Sequence, residues 1–166
     1  MINLLRCTLF IFILNITTVA QANLLNQKAP DFSLPDRTQQ TVSLHKQLGK
    51  VVFINFWASW CPPCRIEFPE LIKLAGEHDK SKFVVLAINV DKDPKSIEVF
   101  LKNFPNLPEN FTVLSDPDFI SIKKYNAVGM PSSFIVGPDG TVKHLQAGYN
   151  KNDPQKWRLL INEISQ

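Results

Sequence analysis

The chain predicts an α/β fold: a mixed central sheet with helices on both faces, an N-terminal extension, and a helix inserted between strands. Three observations carry that expectation. Residues 51–57 and 83–90 are nearly all apolar and rich in β-branched or aromatic side chains, the composition of strands covered on both faces. Segments of helical period alternate with strands through the middle of the chain. Two short strand-like segments then flank Gly137-Pro138-Asp139-Gly140, a hairpin that adds antiparallel pairing to the sheet.

In chain order, residues 28–48 read as the extension. Phe32-Ser33-Leu34 and Thr41-Val42-Ser43-Leu44 alternate apolar and polar residues, with Pro35-Asp36 turn chemistry between them. Strand 51–57 leads to a helix over 62–75, where Cys64, Phe68, Leu71, Ile72 and Ala75 fall along one apolar stripe. Pro69 lies inside it and should kink it, since proline removes an N–H and crowds the preceding turn. Gly76 stands where that helix is expected to stop. After strand 83–90, a helix over 94–103 buries Ile97, Phe100 and Leu101, and Pro105 to Pro108 mark a loop. Residues 111–114 read as a short strand, 117–125 as a helix, and 133–136 and 141–145 as the hairpin strands. A last helix over 154–164 turns Trp157, Leu160, Ile161 and Ile164 inward. Three of these helices are expected to open on Asp-Pro: Asp93-Pro94, Asp116-Pro117 and Asp153-Pro154. The aspartate is the cap, and proline at the first helical position gives up an N–H that has no helical partner anyway.

The first 22 residues stand apart. Arg6 is their only charge, residues 7–20 form a 14-residue mostly apolar stretch, and Ala20-Gln21-Ala22 offers an Ala-x-Ala cleavage signature. That is the order of a secretory signal, so residues 1–22 are expected to be a signal peptide and 23–166 a single domain. The stretch, interrupted by Asn15, Thr17 and Thr18, is short beside the roughly 20 residues of a membrane span. An uncleaved anchor is the alternative. The expected location is therefore periplasmic or otherwise extracytoplasmic, soluble once the signal is cleaved. Of 166 residues 144 remain, enough for one core, and loss of Arg6 lowers the net charge from +3 to +2. Basic residues are scattered among acids, with no run or aromatic-interleaved patch, which disfavours nucleic acid as a partner. A monomer is expected.

Cysteine usage decides the chemistry. Cys7 falls within the apolar leader, leaving Cys61 and Cys64. A bridge between residues so close closes almost no loop and restricts the unfolded chain little, so a structural staple is the weak reading. Cys61-Pro62 repeats the Asp-Pro arrangement with a thiol in the capping place. A helix N-terminus favours negative charge, and with it the Cys61 thiolate. Cys64, one turn on and facing inward, is placed to attack a mixed disulfide formed at Cys61. The pair is thus a dithiol/disulfide redox centre with Cys61 as nucleophile and Cys64 as resolving residue. Half a metal site is the other use of Cys-x-x-Cys, but there is no second ligand pair, and His45, His78 and His144 lie in separate elements. No metal and no other cofactor is expected, since the electrons reside in the dithiol. Covalent haem would need histidine where Arg65 stands.

Glu67 lies one turn after Cys64 and flanks the apolar stripe. The positions three and four residues away on the helix hold Pro63, Cys64, Glu70 and Leu71, none of them basic. A carboxylate among apolar neighbours without a local partner tends to a raised pKa, which suits proton transfer to and from thiols. The bland reading is a solvated edge residue. Glu70 has Lys73 three residues on and is assigned no role. Trp60, directly before Cys61, is expected to shield the disulfide and contact substrate, whereas Trp57 and Trp157 read as core.

The run VVFINFWASWCPPC, residues 51–64, resembles the active-site strand and turn of the thioredoxin superfamily, more narrowly the TlpA/ResA/CcmG-type extracytoplasmic reductases. Arg65-Ile66-Glu67-Phe68-Pro69, Val128-Gly129-Met130-Pro131-Ser132-Ser133-Phe134 and Ala29-Pro30-Asp31-Phe32 are similar to the same group, so the resemblance covers residues 28–165. It implies a thioredoxin-like fold and a protein-disulfide reductase acting on clients that carry disulfides. Apocytochrome c is the common client of such proteins, and a membrane thiol-reductant transporter their electron donor. The resemblance further implies that Pro131 is a cis-proline facing the dithiol and that Met130 lends backbone hydrogen bonds to a bound client. With Trp60, these are the expected substrate-binding residues. Thioredoxin's own buried aspartate falls at Asn55, which cannot titrate. In the TlpA/ResA-like group the acid three residues after the second cysteine is held to matter instead, and here that is Glu67. Three alternatives stay open: a disulfide oxidase or isomerase, a thiol peroxidase, and a module holding Cu(I) between two thiolates. Peroxidases that look similar usually have threonine three residues before the nucleophile, where this chain has Ala58.

Overall fold

The computed structural model describes residues 24–165; the expected signal peptide or anchor, residues 1–22, lies outside them. In chain order the elements are β1 (Ser33–Pro35), β2 (Thr41–Ser43), β3 (Val51–Trp57), α1 (Pro62–Gly76), β4 (Phe83–Asn89), α2 (Pro94–Leu101), β5 (Phe111–Ser115), α3 (Ile120–Lys124), β6 (Ser132–Val136), β7 (Val142–Ala147) and α4 (Asp153–Ile164). Five strands form one sheet in the order β5-β4-β3-β6-β7. Pairing is parallel from β5 to β3 and antiparallel from β3 to β7, so the sheet is mixed, as the alternation of elements predicts. The extension contributes a separate antiparallel pair, β1 and β2, and reaches both edges of the sheet through the bridges Asp36–Leu114 and Lys28–Thr141. Among the described residues, no helix is long and apolar enough to cross a membrane.

β3 is buried at every position and lies at the centre of the sheet. Its side chains point alternately to the two faces, and each face receives aromatic partners. On one face Phe53 packs edge-on against Trp157 of α4, ring centroids 5.0 Å apart. Trp57 on the same face lies 4.6 Å from Phe68 of α1 and 4.9 Å from Phe100 of α2. On the opposite face Phe56 meets Tyr125 and Phe134, and Tyr125 meets Phe32 of the extension. Helices α1, α2 and α4 therefore cover one face, and the end of α3 with the extension covers the other. Both hydrophobic layers meet on β3, which fixes the strand that delivers the chain to Cys61.

Helix starts depart from the Asp-Pro expectation in two of three cases. Asp93 caps α2 as expected, its carboxylate accepting from Lys95 N at 3.0 Å. α3 begins at Ile120, not Pro117, because the Asp116 carboxylate reaches further along the chain. It accepts from Ile120 N, Ser121 N, Ser121 Oγ and Ile122 N at 2.8, 2.9, 2.6 and 3.2 Å. Four donors converging on one carboxylate hold the start of the helix, and Phe119 turns to φ 58° ahead of it. In α4, Asn152 takes the cap position and Asp153 lies inside the first turn. The Asp153 carboxylate points back, accepting from Asn150 N at 2.6 Å and from Gln146 Nε2 of β7. Gly76 is the last residue of α1, followed by Glu77 in helical conformation, and the helix runs on through Pro69.

Candidate active site

β3 ends at Trp57 and α1 begins at Pro62, so Ala58 to Cys61 carry the chain from sheet to helix. Cys61 N donates to Ala58 O at 3.2 Å, which closes this turn. Ser59 is tethered at both of its peptide groups: its N–H donates to Asp91 Oδ2 at 3.0 Å, and its C=O accepts from Arg65 Nη1 at 3.3 Å. Asp91 is buried just beyond β4 and also accepts from Asn89 Nδ2 at 2.9 Å. Sequence reasoning passed over Asp91. The available signal was an acid just after the C-terminal end of a buried strand, the end where open α/β sheets carry their sites.

Cys61 occupies the N-cap of α1, with φ −85° and ψ 110°. Pro62 and Pro63 fill the first two helical positions and have no N–H, so Cys64 N is the first helical donor available. It lies 3.4 Å from Cys61 Sγ. Cys61 and Cys64 are joined as a disulfide with Cα atoms 5.3 Å apart. In this oxidised form both are buried, Cys61 at 4% and Cys64 at 1% exposure, whereas the neighbouring Trp60 is 65% exposed.

Glu67 is not at an edge. It is fully buried and reaches across to two strands. Oε2 accepts from Asn55 Nδ2 of β3 at 2.9 Å, and Oε1 accepts from Ser133 Oγ of β6 at 3.1 Å. Asn55 Nδ2 also donates to Ser133 Oγ at 3.0 Å. These groups meet because Asn55 and Ser133 are direct partners in the β3–β6 register, so their side chains share a sheet face. Glu67 comes down from α1 onto that face. The helix supplies no partner, as the spacing predicts, but the strands supply two. Burial penalises the ionised carboxylate, the two hydrogen bonds favour it, and the charge of Asp153 penalises it again. Burial is the largest of these, and the Glu67 pKa is pushed up to about 7. A carboxyl that changes protonation near neutrality thus lies one helical turn from Cys64. Ser133 and Asn55 as its partners were not foreseen; the signal was Asn55 alone among the apolar residues of β3 and the Ser132-Ser133 pair that opens β6.

Met130 and Pro131 are joined by a cis peptide bond, as the resemblance implies. The register Phe56–Ser132 places them at the same end of the sheet as the turn that carries Cys61. Gly148 N donates to Pro131 O at 2.7 Å, and Ser132 Oγ donates to Gly129 O at 2.6 Å. Beside this loop runs a groove of about 410 Å³ lined by Phe119, Ile122, Val128, Gly129 and Met130 among others. The six residues singled out from sequence therefore fall at one end of the sheet: Trp60, Cys61, Cys64 and Glu67 from the turn and α1, Met130 and Pro131 from the approach to β6. Among the described residues, no group of three or more His, Cys, Asp or Glu is arranged to hold a metal ion.

Comparison with known proteins agrees with this geometry. A family model described as the AhpC/TSA family matches residues 25–145. The thiol-disulfide oxidoreductase ResA of Bacillus subtilis is 34% identical over 121 residues, covering 72% of this chain and 65% of that relative, just under two thirds of its length. The thiol:disulfide interchange protein DsbE of Allochromatium vinosum is 35% identical over 145 residues, 85% of this chain and 75% of that one. A crystal structure assigned as a thiol:disulfide interchange protein DsbE from Chlorobium tepidum superposes with a TM-score of 0.78 at 34% identity. That match covers 86% of this chain and 98% of the other. With its fold, its Cys61–Cys64 disulfide and these relatives, the chain belongs to the AhpC/TSA family, among the ResA/DsbE-type thiol–disulfide oxidoreductases of the thioredoxin superfamily.

Proposed function

We propose that this protein is an exported reductant of disulfides in extracytoplasmic polypeptides, working through Cys61 and Cys64. The observation that carries the proposal is the disulfide capping α1 with a single helical N–H, that of Cys64, in reach of Cys61 Sγ. A thiolate there has one donor at 3.4 Å where an ordinary first turn would offer several. The reduced form is accordingly little stabilised, which makes the dithiol an electron donor rather than an acceptor.

In the proposed cycle the Cys61 thiolate attacks a client disulfide. One client sulfur bonds to Cys61 Sγ, and the other leaves as a thiolate and takes up a proton. Glu67 in its carboxylate form removes the proton of the Cys64 thiol. The Cys64 thiolate then attacks Cys61 Sγ, which forms the intramolecular disulfide and releases the second client sulfur. Two electrons pass to the client, and a donor must restore the dithiol. Trp60, exposed beside Cys61, and Met130-Pro131 with its adjoining groove receive the client polypeptide. The family likeness supports apocytochrome c as a client and a membrane thiol-reductant transporter as the donor. The leader pattern over residues 1–22 supports export. Covalent capture tests the proposal: a Cys64→Ser variant leaves the mixed disulfide at Cys61 unresolved. Extracytoplasmic proteins should be recovered attached to Cys61 through their own cysteines. Recovery of no adduct that depends on Cys61 would defeat the reading.

A further inference from the structure

We propose that Ser133 is the positioning residue for Glu67, holding the carboxyl in place through both of its protonation states and so setting the pH at which it exchanges a proton with the Cys64 thiol. This rests on the reading of Glu67 as the proton carrier, and the experiment below separates the two.

Both hydrogen bonds at Glu67 are bonds it accepts, from Asn55 Nδ2 and Ser133 Oγ. Such a set suits the carboxylate, which is an acceptor only. Once protonated, Glu67 gains an O–H that needs an acceptor, and at a fully buried position leaving it unmet is costly. Asn55 turns Nδ2 toward both neighbours while its Oδ1 has no partner among the described residues, so as placed it can only donate. To serve the acid it must turn its amide over. Ser133 Oγ has both an O–H and lone pairs. At 3.1 Å from Oε1 it donates to the carboxylate, and it either keeps donating to the neutral acid or accepts from it by rotation of the hydroxyl hydrogen. No heavy atom moves. Ser133 is therefore the partner that serves Glu67 in either form.

Register makes this contact rigid. Ser133 lies opposite Asn55 in adjacent central strands, with both residues buried, so the hydroxyl cannot retreat to solvent. The titratable groups coupled to Glu67 among the described residues are Asp153 at the start of α4 and Tyr149 after β7, which Glu70 of α1 also faces; Cys64 of α1 and Cys61 at its N-cap are held in the disulfide in this form. Asp153 bears on Glu67 through its charge and has Lys156 at 3.5 Å. The charge of Glu67 in turn raises the Tyr149 pKa, after burial and Glu70. Asn55 and Ser133 are the two groups that hydrogen-bond the carboxyl among the described residues.

A hydrogen bond to a charged acceptor is stronger than one to its neutral form, so losing the hydroxyl costs the carboxylate more than the acid. Ser133→Val and Ser133→Thr are isosteric and differ in that hydroxyl, and Ser133→Ala gives an independent deletion. The carboxyl carbon of Glu67 is followed by NMR against pH in the oxidised, exported protein, and alkylation of the reduced protein is followed over the same range. Valine and alanine should raise the Glu67 midpoint by about one pH unit, while threonine keeps it at the parent's position. Titrations of valine and parent that superimpose overturn the inference, as does a threonine midpoint that moves with valine's. A displaced carboxyl midpoint with an unchanged thiol profile leaves Ser133 as the positioning residue and removes Glu67 from the proton path. Displacement of both supports both.

Discussion

Glu67→Gln should stabilise the protein at pH 8 and leave its stability near pH 4 unchanged. In the folded chain the Glu67 pKa stands at about 7 against an ordinary 4.5, a rise of about 2.5 pH units caused mainly by burial. Between these two values the folded protein holds a proton that the unfolded chain has released. Stability then falls as pH rises, because the native state binds more protons. The contribution is fully present below pH 4.5 and lost above about 7. At 1.36 kcal/mol for each unit the total is about 3 kcal/mol. Against the 5–15 kcal/mol typical of a domain, that is large enough to measure. Glutamine has nearly the same shape, stays neutral, and escapes the penalty. Its amide N–H group finds an acceptor when the Asn55 amide turns over, since in the parent Asn55 Oδ1 has no partner among the described residues. The assay is urea unfolding of both oxidised proteins at intervals from pH 4 to pH 8, followed by tryptophan fluorescence. Only the difference between them is used, so titrations common to both proteins cancel. The free energies should coincide at the acid end and diverge by about 3 kcal/mol at the alkaline end, with the variant more stable. Curves that stay parallel across the range would show that Glu67 titrates alike in folded and unfolded chains, and the buried-acid account would fall.

Two further outcomes follow from the turn at Cys61. In the reduced protein an alkylating reagent should modify Cys61 well before Cys64, since Cys64 lies inward on the apolar stripe of α1; equal rates at both sulfurs would remove the assigned roles. Pro63→His restores a first-turn N–H and adds positive charge when protonated, so the Cys61 pKa should fall and the reduction potential rise above the parent's, which is expected nearer the about −270 mV of thioredoxin than the about −120 mV of a strong oxidant. A glutathione or dithiothreitol redox titration checks this, and a parent as oxidising as the variant would favour an exported oxidase or isomerase instead.

What was legible in the sequence is what depends on near neighbours. Strands β3 and β4 announce themselves because neither face of either carries alternating polar residues. Cys61 reads as a cap because its partner, Cys64 N, is three residues away. The same local logic holds for Asp93, whose carboxylate turns to Lys95 N. It fails for Asp153, which answers to Gln146 on β7, and for Asp116, whose donors begin four residues on. An Asp-Pro pair marks where a helix can start, but the placement of the carboxylate depends on donors that only packing brings near. Glu67 divides along the same line. Its raised pKa was legible from apolar neighbours and the missing helical partner. Its two donors were not, because Asn55 and Ser133 are 12 and 66 positions away and converge through strand register.

That convergence bears on why an amide, not a second acid, stands at position 55. Burial alone would hold the Glu67 carboxyl permanently neutral, and two donors in a polar setting would hold it permanently ionised. A proton carrier must populate both forms at its working pH. In this chain the opposing effects leave the balance near neutrality. Asn55 contributes a donor without a charge, 2.9 Å from Glu67 Oε2. Two carboxylates at that separation cannot both ionise, and they titrate as a pair with values driven apart. An aspartate at position 55 would therefore take the carboxylate role from Glu67 or lock it protonated. With asparagine there, a single group, delivered by the helix that also bears Cys64, carries the titration alone.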